Sequence, residues 1–179
     1  MIRSLLGLLA LGTLTVAATA DDTALKFKEG DKLPAIELPV ANAAGSKSLS
    51  LKSYEGKKNV VLYFYPKAMT KGCTIESCGF RDKAEEFAKL DTVIVGISID
   101  PLKAQEQFVE KEKLVFPLLA DSEGKVTREL GVLAKNGKVS QRVTFIVDKT
   151  GTIRKIYPTV NVQKHINEVL TYIKSDLAK

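Results

Sequence analysis

The sequence predicts one α/β domain, a mixed sheet with helices on both faces. Two continuous apolar runs rich in β-branched and aromatic residues, Asn59–Tyr65 and "TVIVGISID" from Thr92, read as buried central strands. Segments with helical apolar spacing separate the later strands, which is the pattern of a layered α/β sheet. Near the C-terminus, "RVTFIVD", a "KTG" turn and "TIRKIYP" read as a hairpin that adds antiparallel strands.

The elements follow in order. Residues 21–32 are polar and charged and are expected to form a flexible arm, with the folded domain spanning 33–179. "PAIELPV" alternates apolar and polar residues between two prolines, as an edge strand does. "ANAAGSKSLSL" reads as a turn into a second short strand, and Asn59–Tyr65 follows as the central one. Pro66–Gly72 is a loop. From about Cys73 to Leu90 the spacing becomes helical, with Ile75, Phe80, Ala84, Phe87 and Ala88 tracing an apolar face. After the Thr92 strand, Asp100 is placed to cap a helix that has Pro101 at its first position and runs to about Lys113. "VFPLLAD" is a short strand and "SEGKVTRELG" a helix closed by Gly131. The hairpin comes next. The last helix, "NVQKHINEVLTYIKSDL", puts Val162, Ile166, Val169, Leu170 and Ile173 on one face.

The first 20 residues stand apart from this pattern. Arg3 is their only charge, Leu5–Val16 is an apolar stretch, and Ala18-Thr19-Ala20 is a small-residue cleavage site. That is the pattern of a secretory leader, so the chain is expected to be exported, most simply to a periplasm. The apolar stretch is short for a membrane span of about 20 residues, so no stable membrane insertion is expected. The net charge of +6 becomes +5 once Arg3 is removed, and the lysines are interspersed with acids. With no basic stripe interleaved with aromatics, nucleic acid is not an expected partner.

The chemistry concentrates in "YPKAMTKGCTIESCGFRD", Tyr65–Asp82, which holds both cysteines of the chain. Two cysteines in an exported protein form a structural disulfide by default. Here a buried strand and a loop deliver Cys73 to the start of a helix, where unpaired amides and the helix dipole favour a thiolate, the nucleophilic form. Cys78 lies five residues on. In an intact helix that separation sets the two Cα atoms roughly 8.6 Å apart, whereas a disulfide requires less than about 7 Å. Either the segment is not helical, or a disulfide forms there only when the helix unwinds locally. A zinc site wants four Cys, His or carboxylate ligands. The chain has two cysteines and a single histidine, His165, read as a surface residue of the last helix. No metal or other cofactor is expected.

The same segment resembles the active-site segment of the peroxiredoxins, and especially their Q-type, or bacterioferritin-comigratory-protein-like, subgroup. The family pattern P-x3-T-x2-C matches Pro66, Thr70 and Cys73, and the subgroup's second cysteine matches Cys78. The flanking "FYP" and "FRD" also fit, and Arg142 in "QRVTFIVD" matches the family's active-site arginine. The resemblance covers about Leu33–Leu177. One departure is Lys71, where the subgroup often has proline.

The resemblance implies a thioredoxin-like fold and a thiol-dependent peroxidase active on hydrogen peroxide and organic hydroperoxides. It makes Cys73 the thiolate that attacks the peroxide and becomes a sulfenic acid, and Cys78 the resolving cysteine of an intramolecular disulfide. It implies that Thr70 hydrogen-bonds thiolate and peroxide, that Arg142 stabilises the developing charge, and that Pro66 shields the site. The implied partners are a peroxide and a dithiol reductant such as a thioredoxin-like protein, with the chain a monomer or weak dimer. An exported thiol–disulfide oxidoreductase is the alternative. It is disfavoured because such enzymes carry C-x-x-C, and because none of the six prolines immediately precedes the Arg142 strand.

Overall fold

The computed structural model describes residues 23–42 and 46–177. The leader expected over residues 1–20 lies outside them. The elements are β1 (Glu37–Ala41), β2 (Ser48–Ser50), β3 (Asn59–Phe64), α1 (Lys71–Lys89), β4 (Thr92–Ser98) and α2 (Leu102–Glu112), then β5 (Leu118–Ala120), α3 (Lys125–Glu129), β6 (Val143–Val147), β7 (Ile153–Tyr157) and α4 (His165–Tyr172). A 3-10 turn at Leu51–Tyr54 follows β2, and a π-helical turn at Ile173–Leu177 extends α4.

The strands form one seven-stranded sheet in the order β2-β1-β5-β4-β3-β6-β7. β4 runs parallel to both β3 and β5, and every other pairing is antiparallel. This is the mixed sheet of a thioredoxin-like fold. Every residue of β3 is buried. Alternation sends Val60, Leu62 and Phe64 to one face and Val61 and Tyr63 to the other. On the Tyr63 face the core is closed by Phe80 and Phe87 of α1, Phe108 of α2, and Ile166 and Val169 of α4. On the opposite face Val126 of α3 packs with Leu130, Val132 and Ile36.

One glycine is required for this packing. Gly96 of β4 is the register partner of Tyr63. A Cβ there would lie 2.6 Å from Leu118 Cδ2 and 2.8 Å from Tyr63 Cζ and the hydroxyl oxygen. The bare backbone lets the Tyr63 ring lie across β4 and place its hydroxyl 2.9 Å from Ser77 Oγ, which joins β3 to α1.

Four expectations are corrected. β1 is not an edge strand: its first half pairs with β2 and its Val40 and Ala41 with β5. Pro39 is tolerated because it falls in the half paired with β2 alone. Helix α1 begins at Lys71 rather than near Cys73. Asp100 does not cap α2, where Pro101 holds the cap position; its carboxylate accepts instead from Ala68 N at 2.7 Å and Ser98 Oγ at 2.8 Å. On α1, Ile75 is 37% exposed and Glu76 is buried in its place.

Residues 23–32, within the segment expected to be a flexible arm, lie against the domain. Lys26 N donates to Leu130 O at 3.2 Å, Gly30 N to Ile153 O at 2.8 Å, and Lys32 bridges to Thr152. Gly131, at φ +70°, meets this segment so closely that a Cβ would fall 1.7 Å from Ala24 O. Among the described residues no helix is long and apolar enough to cross a membrane.

Candidate active site

Strand β3 fires the chain out of the core into the loop that carries Pro66 and Thr70. Met69 takes a left-handed conformation at φ 60° and turns the loop into α1. Thr70 is the N-cap residue. The first helical bond runs from Thr74 N to Thr70 O at 2.8 Å, so the amides of Lys71, Gly72 and Cys73 precede the intrahelical ladder. Cys73 therefore sits in the first turn, at the positive end of the helix dipole. Its side chain is fully buried.

Arg142, just ahead of β6, supplies the charge over that sulfur. Its Nη2 donates to Cys73 Sγ at 3.3 Å, and its Nη1 pairs with Glu76 Oε2. Burial lowers the basicity of Arg142, but Glu76 and Cys73 outweigh that and leave it more basic than usual. Gly72 faces the guanidinium, and a Cβ there would stand 3.4 Å from Nη2, an ordinary van der Waals contact.

Glu76 is the residue that sequence reasoning missed. It is fully buried, and its Oε1 has no hydrogen-bond partner. Burial pushes its carboxyl up to about 7, against the opposing pull of Arg142. Burial and the ion pair with Arg142 thus act on this carboxyl in opposite directions, and the one guanidinium contacts both Glu76 and Cys73. The signal was present in the spacing, because i and i+3 share one helix face.

A buried polar chain anchors the loop that leads to α1. The Tyr65 hydroxyl donates to Gln105 Oε1. Gln105 Nε2 donates to Ser98 Oγ at 3.0 Å and to Leu119 O at 2.8 Å. Ser98 then meets Asp100, and Asp100 holds the amide of Ala68 in the active-site loop. The loop is thus tied to β4, β5 and α2.

The other expected site residues are placed as follows. Pro66 is half-buried at the mouth of the loop. Thr70 is exposed, and its hydroxyl donates to Lys67 O at 2.9 Å, closing the loop on itself rather than meeting Cys73. Cys78 is partly exposed on the same unbroken helix, and both cysteines are free. Cys78 Sγ donates to Glu112 Oε2 at 3.6 Å.

His165 is a correction. Expected on the surface, it is fully buried, edge-on to Phe80 and Tyr157 with centroids at 5.8 and 5.1 Å. Its Nε2 meets Thr144 Oγ1 at 2.8 Å, and Nδ1 has no partner. Burial, then the field of Arg142, lowers its pKa to about 4, so it is neutral near pH 7. Polar neighbours in sequence concealed its place one helical turn from Val169, on the buried face.

Known proteins share this fold and much of this sequence. The AhpC/TSA family model matches residues 29–156. The peroxiredoxin Bcp of Bacillus subtilis is 43% identical over 151 residues, 81% of this chain and 94% of that protein. The crystal structure of peroxidoxin BcpB from Mycobacterium tuberculosis superposes with a TM-score of 0.75 at 35% identity, covering 83% of this chain and 97% of that one. The bacterioferritin comigratory protein of Xanthomonas campestris, described for its alkyl peroxide reduction, superposes with a TM-score of 0.73 at 29% identity, over 80% and 92% of the two chains. The helix-terminal cysteine under a distant arginine, the thioredoxin-like sheet and these relatives agree: the chain belongs to the AhpC/TSA peroxiredoxin family, in its Bcp-type thiol peroxidase subgroup.

Proposed function

We propose that this thiol peroxidase works through a Cys73 sulfenic acid and a Cys73–Cys78 intramolecular disulfide, in antioxidant defence. The observation that carries the reading is the 3.3 Å contact of Arg142 Nη2 with Cys73 Sγ at a helix N-terminus. The Cys73 thiolate attacks one peroxide oxygen, the O–O bond breaks, and the other oxygen leaves with a proton as water or alcohol. Arg142 stabilises the negative charge that moves from sulfur to the leaving oxygen. Pro66 keeps bulk water from the sulfur. Thr70 serves peroxide binding by exchanging its bond to Lys67 for one to the substrate. Organic hydroperoxides join hydrogen peroxide as substrates on the analogy of the Xanthomonas campestris relative.

Cys78 then attacks the sulfenic sulfur, and water leaves. The two thiols share one continuous helix, so the first turns of α1 must unwind for the bond to form. An external dithiol, of the thioredoxin-like kind, returns the pair to thiols and the helix reforms. The working unit is a monomer or weak dimer. The leader pattern of Met1–Ala20 supports export, with a mature chain starting at Asp21. Steady-state peroxide consumption with a dithiol tests the scheme. Cys73→Ser abolishes it, and Cys78→Ser keeps the first turnover but loses recycling; full activity in Cys73→Ser would overturn the assignment.

A further inference from the structure

Cys78 is tied to an element outside the peroxide site. Its Sγ donates to the carboxylate of Glu112, the last residue of α2, at 3.6 Å. Arg81 lies three residues after Cys78 and so on the same side of α1. Its Nη1 donates to the Glu112 carbonyl at 2.6 Å, while Nε and Nη2 hold Asp82 at 2.9 and 2.7 Å. Two neighbouring contacts, one to the carboxylate of Glu112 and one to its backbone, thus dock α1 around Cys78 onto the end of α2.

Both contacts oppose what a resolving cysteine has to do. It must leave the dock to reach Cys73, since an intact helix keeps the two Cα atoms roughly 8.6 Å apart. It must also lose its proton, because the thiolate is the nucleophile. A carboxylate that accepts from the thiol stabilises the S–H form. The charged groups facing Cys78 are Arg81 and Asp82 on its own helix and Glu112 across from it. Burial pushes the Cys78 thiol above its ordinary range; Arg81 pulls the other way, and Glu112, with Asp82, adds to the rise.

We propose that Glu112 is a positioning residue that latches Cys78 as a docked, protonated thiol and thereby sets the rate of the resolving step. The inference rests on the reading of Cys78 as the resolving cysteine. In that step the Cys78 S–H bond breaks and its proton passes to solvent. The sulfur attacks the Cys73 sulfenic sulfur, the S–O bond breaks, and the hydroxide leaves as water with one proton. Cys78 sulfur is oxidised and Cys73 sulfur reduced to the disulfide level. The Glu112 contact breaks before the S–S bond forms. A latched Cys78 prolongs the life of the sulfenic acid, so Glu112 also governs how often a second peroxide carries Cys73 on to sulfinic acid.

The test is a charge series, Glu112→Ala, Glu112→Gln and Glu112→Lys, read in two ways. In a Cys73→Ser background, alkylation of Cys78 by iodoacetamide at neutral pH should rise about three- to tenfold for the neutral variants and further for lysine. In the protein with both cysteines, stopped-flow disulfide formation after one equivalent of hydrogen peroxide should accelerate in the same order, with sulfenic acid formation unchanged. Absence of any effect, or equal effects from all three variants, overturns the latch. Failure of the parent protein to form a Cys73–Cys78 disulfide overturns the resolving reading instead, and the alkylation series still reports on the Glu112 contact by itself.

Discussion

Arg142 and Cys73 lie 69 residues apart in sequence and 3.3 Å apart in space, guanidinium nitrogen to sulfur. The sheet makes the meeting possible. β6 pairs antiparallel with β3, so the start of β6 and the end of β3 fall at the same sheet end, with Phe64 opposite Val143. The loop to α1 and the loop carrying Arg142 therefore share one mouth.

Replacing Arg142 by methionine should remove the positive charge beside the Cys73 sulfur. The second-order rate of Cys73 with hydrogen peroxide should fall about a hundredfold or more. Stopped-flow measurement of the first turnover checks it, and Arg142→Lys should recover only part of the loss because a point charge lacks the guanidinium fork.

Glu76 gives a pH signature. Its folded pKa of about 7 exceeds its ordinary 4.5, so between those values the folded state binds more protons than the unfolded state. Its contribution to stability is complete below about 4.5 and is lost as pH rises to about 7. Glu76→Gln should remove that downward slope, on the order of 2–3 kcal/mol across the window. Urea denaturation of parent and variant at several pH values measures it.

His165 acts with the opposite sign. Its folded pKa of about 4 lies below the ordinary 6.5, so the unfolded state binds the extra proton in that window. Its contribution to stability is complete above 6.5 and is lost as pH falls toward 4. In the parent the two slopes oppose each other where they overlap. His165→Gln should expose the falling slope of Glu76, and Glu76→Gln the rising slope of His165. Histidine NMR supplies the direct check, with the His165 ring neutral until pH approaches 4.

Gly96→Ala should destabilise the domain by about 1–3 kcal/mol through overpacking. The added carbon meets Leu118 Cδ2 at 2.6 Å and Tyr63 Cζ and hydroxyl at 2.8 Å, and both side chains are fully buried, so one must shift against packed neighbours. Chemical denaturation measures the loss.

What the sequence made legible follows from local rules. The run Asn59–Tyr65 announced β3, and the "KTG" turn announced the β6–β7 hairpin, because strand and turn signals reside in adjacent residues. The motif from Pro66 to Cys78 marked the loop and helix start that Arg142 reaches. Several of the misreadings involve long-range partners. Asp100 has the local look of a cap, yet Ala68 and Ser98 take its carboxylate. His165 has polar neighbours in sequence, yet Phe80 and Tyr157 enclose it. Glu76 is not singled out in the sequence at all, and its buried ion pair is with Arg142, 66 residues away. Helical spacing puts Glu76 on the face of Cys73, but it does not show that Arg142 arrives there from a distant segment.

Formation of the Cys73–Cys78 disulfide is tested most directly by peptide mapping by mass spectrometry after reduced protein meets one equivalent of hydrogen peroxide. The predicted result is a Cys73–Cys78 disulfide in the parent and, in Cys78→Ser, a sulfenic acid on Cys73 trapped by dimedone. A sulfenic acid on Cys78, or a parent protein whose two cysteines never join, would contradict it.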